Sequence, residues 1–364
     1  MIYLDNAATT QPTEEVLAVY HKAQSQLFYN SESLHVGGEQ VKAALQQARQ
    51  YVQHVFQTTK EVRFGTSGSN VNDMAIRLYL DHLTQGTIWV SPYEHPSIAA
   101  ALERYQNNFK IEIMPLTADG TLDLATWQSR VTAETVLIIA QHVNSETGYQ
   151  LPIHQIGAIA KQHQIPFHVD GVQAVKKIAP FDMTSCTSYT FSGHKFHGTK
   201  GCGVLMIEDA FIHPLNQHYF HETGLRNGTL DVPSILALVQ ALNISTDIMH
   251  LQTLHQYAKA RATALGFTAL TYNAQAPHIL GLLTPKFEGQ YIMQMLSNRN
   301  ICISTGTACG HGIMLSDGLM HKIAAVQGEV DQYLRLSFSC LTTVEEIDQC
   351  FDVMKKMIHE GGSE

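Results

Sequence analysis

No stretch of the sequence reaches the roughly 18 consecutive apolar residues that a membrane helix needs. The start, MIYLDNAATT, has neither a charged n-region nor an apolar h-region, so no signal peptide is expected and the cytoplasm is the expected address. Cysteine is scarce: six in 364 residues, at 186, 202, 302, 309, 340 and 350, with no CxxC spacing and no disulfide framework. They read as reduced thiols. No G-x-G-x-x-G follows the first strand-like run, which counts against a dinucleotide-binding oxidoreductase. Histidine is abundant (20 residues) but scattered without metal-ligand spacing, so no metal is expected. Basic residues are outnumbered, 23 Lys and Arg against 32 Asp and Glu, for a net charge of −9. Such a surface argues against non-specific nucleic-acid binding.

What is present is an alternation of short apolar runs with helical patterns. The runs are Val62–Phe64, Ile88–Val90, Ile111–Met114, Val136–Ala140, Phe167–Val169, Tyr189–Phe191 and Val204–Ile207. Between most of them apolar residues recur at helical spacing, as in Ile153, Ile156, Ile159 and Ala160. Buried runs alternating with helices predict an α/β fold, a mostly parallel sheet covered on both faces. Near the start, Thr13 is a predicted N-cap with Glu14 and Glu15 in the first turn. From about Pro233 the pattern changes to one long helix and then to a smaller α+β region. The expected division is a large domain over 13–245 and a small one made of 1–12 and 246–364.

Ligands of such sheets bind beyond the carboxyl ends of the strands. FGTSGSN (64–70) runs from a strand through glycines toward a helix, and its amides could cradle a phosphate. Equally, it could be a plain strand-to-helix turn. Asp170 directly follows a strand, where an acid is either an ordinary turn residue or the partner of a protonated pyridine. Lys195, between Gly193 and Gly201, is either a solvated charge or a Schiff-base lysine, whose chemistry needs the amine unprotonated. Cys309, among Gly, Ser and Thr and close to His311, is either a structural cysteine or a reactive thiol. Cys302, Cys340 and Cys350 read as packing residues.

Together, YLDNAATT, EHPS, VNSETG, FHVDGVQAV, SGHKFHGTKG, GLRNGT and GTAC, in that order, resemble the NifS/IscS-type cysteine desulfurases. These belong to the class V aminotransferase group of fold-type I pyridoxal-phosphate (PLP) enzymes. The resemblance runs from residue 3 to residue 348. It implies a seven-stranded, mostly parallel sheet in the large domain and a smaller C-terminal α+β domain. Lys195 would carry PLP, Asp170 would pair with its ring nitrogen, and Gln173 would reach its phenolic oxygen. His95 would stack on the ring and assist proton transfer, and Asn144 would line it. Gly68, Ser69, Ser192 and His194 would bind the phosphate, and Thr229 would reach the phosphate of a second subunit, implying a homodimer. Arg335 would take the substrate carboxylate, with Asn30 beside it. Cys309 would take sulfur from L-cysteine, leaving alanine, and pass it to an acceptor protein. That acceptor would be a sulfurtransferase, as for tRNA thiolation, or an iron–sulfur scaffold. Neither a membrane nor direct nucleic-acid binding is expected. A transaminase would need no thiol; a selenocysteine lyase could use the same residues; a non-catalytic PLP-fold module would not need the full set.

The sequence departs from the family pattern in four places, one of them Cys340, which stands where the R-x-S-x-G pattern near the carboxylate-binding arginine has a glycine-like position. The phosphate turn A-T-E-A-N is Gly68-Ser69-Asn70-Val71-Asn72 here, and the glycine triplet before GLRNGT is His218-Tyr219-Phe220. The FGNPSS segment is Phe28 to Ser33, without its glycine and proline.

Overall fold

A computed structural model describes residues 1–305 and 315–360, the last two without their side chains. The seven predicted runs all become strands of one sheet. In spatial order these are Glu61–Gly65, Gly203–Ile207, Ser188–Ser192, Phe167–Asp170, Thr135–Gln141, Gly86–Val90 and Phe109–Ile113. Gly203–Ile207 is antiparallel to both its neighbours and the remaining pairs are parallel. Six strands therefore point their carboxyl ends to the same edge.

Alternation along the strands divides the two faces. Trp89, Ile138, Ala140, Phe167, Val169 and Val204 join one buried cluster, with helices Glu14–Gln26, Val36–Val55 and Val232–Asn243 laid over it. Ile88, Val90, Leu137, Ile139, Leu205 and Ile207 join another, beneath helices Gly68–Leu80 and Pro96–Leu102. Both faces are covered, which is why these strands read as short, mainly apolar runs. Thr13 caps its helix as predicted, accepting from the Val16 amide at 3.3 Å.

The predicted long helix is instead two, Val232–Asn243 and Ile248–Ala264, bent by 81°. The break falls at Ile244, Ser245, Thr246 and Asp247, and Asp247 caps the second helix by accepting from the His250 amide at 3.0 Å. Apolar spacing continued across the gap, so periodicity alone hid the cap. No single helix among the described residues is long and apolar enough to cross a membrane.

A second sheet orders Ser304–Thr305, Tyr333–Ser337, Ile279–Leu283 and Thr268–Ala269, all antiparallel. Its own core gathers Leu251, Leu254, Leu280, Leu334, Leu336, Phe351 and Met354. Leu4 joins this core from the far end of the sequence, and Ile2–Tyr3 pairs in parallel with Ile301–Cys302. The amino-terminal segment is thus stitched to the carboxyl-terminal third of the chain.

Candidate active site

The polar segments picked out in the sequence converge at the common carboxyl edge of the large sheet. Strand Ser188–Ser192 runs into a tight turn, Gly193–Lys195, which lifts Lys195 off the end of the sheet. Its Nζ donates to the main-chain carbonyls of Ala7 and Ala8, each at 2.8 Å. Burial pushes the ammonium down to about 8, and the Arg335 cation adds to the shift, against the opposing pull of Asp170 and Asp5. The amine is thereby brought toward the pH at which a useful fraction is free.

Asp170 ends strand Phe167–Asp170 and is buried. Its Oδ1 accepts from the Val172 amide and its Oδ2 from Asn72 Nδ2, both at 2.9 Å. Asn72, also buried, sits one turn into helix Gly68–Leu80. Its Nδ2 also donates to Ser97 Oγ at 3.2 Å, while its Oδ1 accepts from Thr190 Oγ1 and contacts His168 Nε2. Ser97 Oγ lies 2.9 Å from His95 Nδ1, and that nitrogen accepts from the Ser97 amide at 3.1 Å. A backbone amide can only donate, so the neutral ring carries its proton on Nε2. A continuous chain therefore runs Asp170–Asn72–Ser97–His95. Desolvation, then Lys195, hold His95 below the usual histidine range, against the pull of Asp170.

The turn opening helix Gly68–Leu80 is built for close approach. A Cβ at Gly68 would lie 2.9 Å from Val172 and 3.6 Å from the Ser192 Cβ. Ser67 caps the helix by accepting from the Asn70 amide at 3.1 Å, and the Gly68 and Ser69 amides lie ahead of the first intrahelical bond. Ser69 is exposed. Ser192 Oγ donates to the Cys202 carbonyl at 2.9 Å. His194 Nδ1 meets Thr9 Oγ1 at 3.1 Å, and burial brings its ring down to about 4, so it is neutral.

The other predicted residues lie as follows. Gln173 Nε2 donates to Ala7 O at 2.7 Å, the same carbonyl that Lys195 uses, and its Oε1 accepts from Lys177 Nζ at 3.1 Å. Asn144 is buried with its amide spent locally. Nδ2 donates to Tyr93 O and Glu146, and Oδ1 accepts from the Glu146 and Thr147 amides. Arg335 donates from one terminal nitrogen to Asp5 and from the other to Ser145 O, both at 2.7 Å. Its Nε has no partner among the described residues. Asn30 is exposed and its Oδ1 accepts from the Glu32 amide. No hydrogen bond among the described residues joins it to Arg335. Thr229 is exposed. Cys309 lies outside the described residues. Glu146 holds Ser316 through both its amide and its hydroxyl.

Sequence reading missed five contributors. Asn72 was seen only as part of an altered turn. The Ala7 and Ala8 carbonyls are main-chain groups with no side-chain signal. Asp5 lies in the recognised YLDNAATT, but nothing in that motif points it at Arg335. Lys177, buried and far below the ordinary lysine range through burial, looked like any other lysine.

The description "Aminotransferase class-V" fits residues 2–350 of the chain. The chain belongs to the class-V aminotransferase family. Its relatives put it among the NifS-type cysteine desulfurases. The putative cysteine desulfurase NifS of Bacillus subtilis (strain 168) is 33% identical, over 96% of this chain and 92% of that protein. The cysteine desulfurase NifS of Azotobacter vinelandii is 29% identical, over 96% and 90%. Among solved structures, a NifS-like protein superposes with a TM-score of 0.88 at 25% identity, covering 99% of each chain. A structure titled SspA in complex with cysteine gives 0.80 at 25% identity, covering 94% of this chain and all of that one.

Class-V aminotransferases and cysteine desulfurases work with pyridoxal phosphate, and the residues of this site fit it. A phosphate matches the amides at the start of helix Gly68–Leu80 beside Ser192. A buried carboxylate, already held by two donors and with no salt bridge among the described residues, suits a protonated ring nitrogen at Asp170. Lys195 supplies an amine of lowered basicity at the same edge.

Proposed function

We propose that this enzyme, a PLP-dependent cysteine desulfurase by family, converts L-cysteine to L-alanine and keeps the sulfur on Cys309 as a persulfide. The balance is cysteine plus the Cys309 thiol giving alanine plus Cys309–S–SH. No outside oxidant or reductant is needed. Lys195, Asp170, Gln173, His95, Asn144, Gly68, Ser69, Ser192 and His194 would hold the cofactor. Bound among them, pyridoxal phosphate supplies an electron sink for the charge left when the substrate Cα loses its proton.

The chain's own residues do the rest. The Lys195 amine, near pH 8, is basic enough to take the Cα proton at Nζ and weak enough to be partly free beforehand. His95 presents an Nε2–H, held by Ser97 and Asn72, that can donate to the departing or arriving group. Arg335 offers its planar fork to the substrate carboxylate, exchanging contacts now made with Asp5 and Ser145. Cys309, as thiolate, attacks the substrate sulfur. The observation that carries this reading is the convergence of Lys195, Asp170 and His95 at one sheet edge, at or just beyond the ends of three strands, Ser188–Ser192, Phe167–Asp170 and Gly86–Val90.

Thr229 would serve the site of a second subunit, making the working unit a homodimer. In support, Phe28, Leu34, Val36 and Phe220 are exposed apolar side chains on two segments. His221 and Glu32 join those segments at 3.6 Å. A patch of that kind calls for a partner. The separate cores support the division into a large domain over 13–245 and a small one of 1–12 and 246–364. The described cysteines are free thiols, in keeping with a cytoplasmic protein. The sulfur acceptor would be a sulfurtransferase or an iron–sulfur scaffold. Intact-mass analysis after addition of L-cysteine tests the reaction. One sulfur atom gained by wild type and none by Cys309→Ala, with alanine released, is the expected result. Sulfur gain by Cys309→Ala at the wild-type rate removes Cys309 as the acceptor.

A further inference from the structure

Cys340 lies outside the machinery above, in the turn after strand Tyr333–Ser337, where it read as a packing residue. It is half-buried, and its Sγ lies 3.4 Å from His197 Nε2. The other ring nitrogen, Nδ1, lies 2.8 Å from the Gln11 carbonyl. A carbonyl only accepts, so Nδ1 carries the proton and Nε2 offers its lone pair to the thiol. Thiol, base and orienting acceptor stand in sequence, the arrangement that activates a nucleophile. His197 is held at a φ of +69°, a region few residues other than glycine enter. Its amide is fastened to Thr10 Oγ1 at 2.6 Å. The chain keeps a strained backbone there, and the ring it carries meets Cys340.

The other thiols differ. Cys186 and Cys202 are buried and donate to the carbonyls of Met183 and Gly203. Cys350 is buried in the small core. Burial pushes the Cys340 thiol up and the His197 ring down, so the pair rests neutral, while the nearby Lys176 ammonium favours the thiolate once formed.

We propose that Cys340 and His197 form a second sulfane-sulfur site, at which Cys340 accepts the outer sulfur of a persulfide or polysulfide. The thiol proton passes to His197 Nε2, and the thiolate attacks the outer sulfur. The S–S bond of the donor breaks as the new one forms, and the departing thiolate takes the proton back from His197. The sum is Cys340–SH plus R–S–SH giving Cys340–S–SH plus R–SH, with no net oxidation. The site rests on the desulfurase reading only for its natural source of sulfur.

The test uses full-length Cys309→Ala enzyme, sodium tetrasulfide as donor, alkylation and peptide mass analysis. Cys340 should gain sulfur about a hundredfold faster than Cys302, a half-buried thiol in the same molecule, the low end of what a positioned base contributes. In His197→Asn, chosen because asparagine tolerates the left-handed backbone, that advantage should disappear while Cys186, Cys202 and Cys350 stay protected. Equal rates at Cys340 and Cys302, or an advantage that survives His197→Asn with the buried thiols still protected, overturns the proposal. Alanine release from L-cysteine by wild type is followed separately. Its absence sinks the desulfurase reading and leaves the tetrasulfide result standing.

Discussion

Lys195 shows how position changes what a side chain can do. A solvated lysine is almost wholly protonated at neutral pH. Here burial, with Arg335 nearby, lowers the amine to about 8. Because the protonated form loses its charge as pH rises through that value, the free amine able to capture an aldehyde grows between about pH 7 and 9. The rate at which cofactor-free enzyme takes up pyridoxal phosphate should therefore rise through about pH 8 and then level. Stopped-flow absorbance would follow it, and a rise continuing toward the ordinary lysine range speaks against the lowered amine. Asn72 makes a second residue-scale case. Its Nδ2 holds both Asp170 and Ser97. Asn72→Ala leaves a buried carboxylate with one donor fewer and should cost about 1–3 kcal/mol in urea unfolding. Asn72→Asp, putting a second carboxylate beside the first, should cost more and weaken cofactor retention further. Equal stability of all three proteins would remove Asn72 from the account.

At the scale of elements, each strand end delivers one or two groups, and glycines set how closely they approach. Gly171 directly follows Asp170, and a Cβ there would lie 2.0 Å from the Tyr189 ring. Tyr189 is itself fully buried in the next strand. Gly171→Ala should therefore destabilise the protein by about 1–3 kcal/mol through overpacking and tilt Asp170 away from its donors. Thermal unfolding and cofactor content together check it; a wild-type melting temperature contradicts it. Strands were the legible part of the sequence, because burial on both faces writes them as short, mainly apolar runs, unbroken in Val136–Ala140 and Val204–Ile207. Their lateral order was not legible, since nothing in a run such as Val204–Ile207 tells that it turns antiparallel between two others. The bend between Asn243 and Ile248 was hidden for the opposite reason: apolar spacing continued while a capping aspartate interrupted the backbone. At the site, Lys195 and Asp170 stood out because their motifs flank predicted strand ends, while His95 entered only with the family resemblance. Gln173 and Arg335 were legible as residues but not in their contacts. Those contacts depend on the Ala7 carbonyl and Asp5, brought in from the first ten residues by long-range pairing.

Across the whole molecule, the amino-terminal segment and the carboxyl-terminal third of the chain meet at the site. The amino-terminal segment pairs with Ile301–Cys302, fastens Ala7 to Ser337, and gives its carbonyls to Lys195. Strand Tyr333–Ser337 brings Arg335. Among the described residues, Ser304–Thr305 pairs with that strand, and Ser316 is held by Glu146 at the edge of the large sheet. Sulfur chemistry of this kind needs a lysine that forms an imine, and two buried or half-buried lysines compete for that role, Lys195 and Lys177. The direct measurement is borohydride reduction of the enzyme loaded with pyridoxal phosphate, followed by peptide mass mapping. A pyridoxyl group on Lys195 alone is the predicted result; a group on Lys177, or none on either, contradicts it.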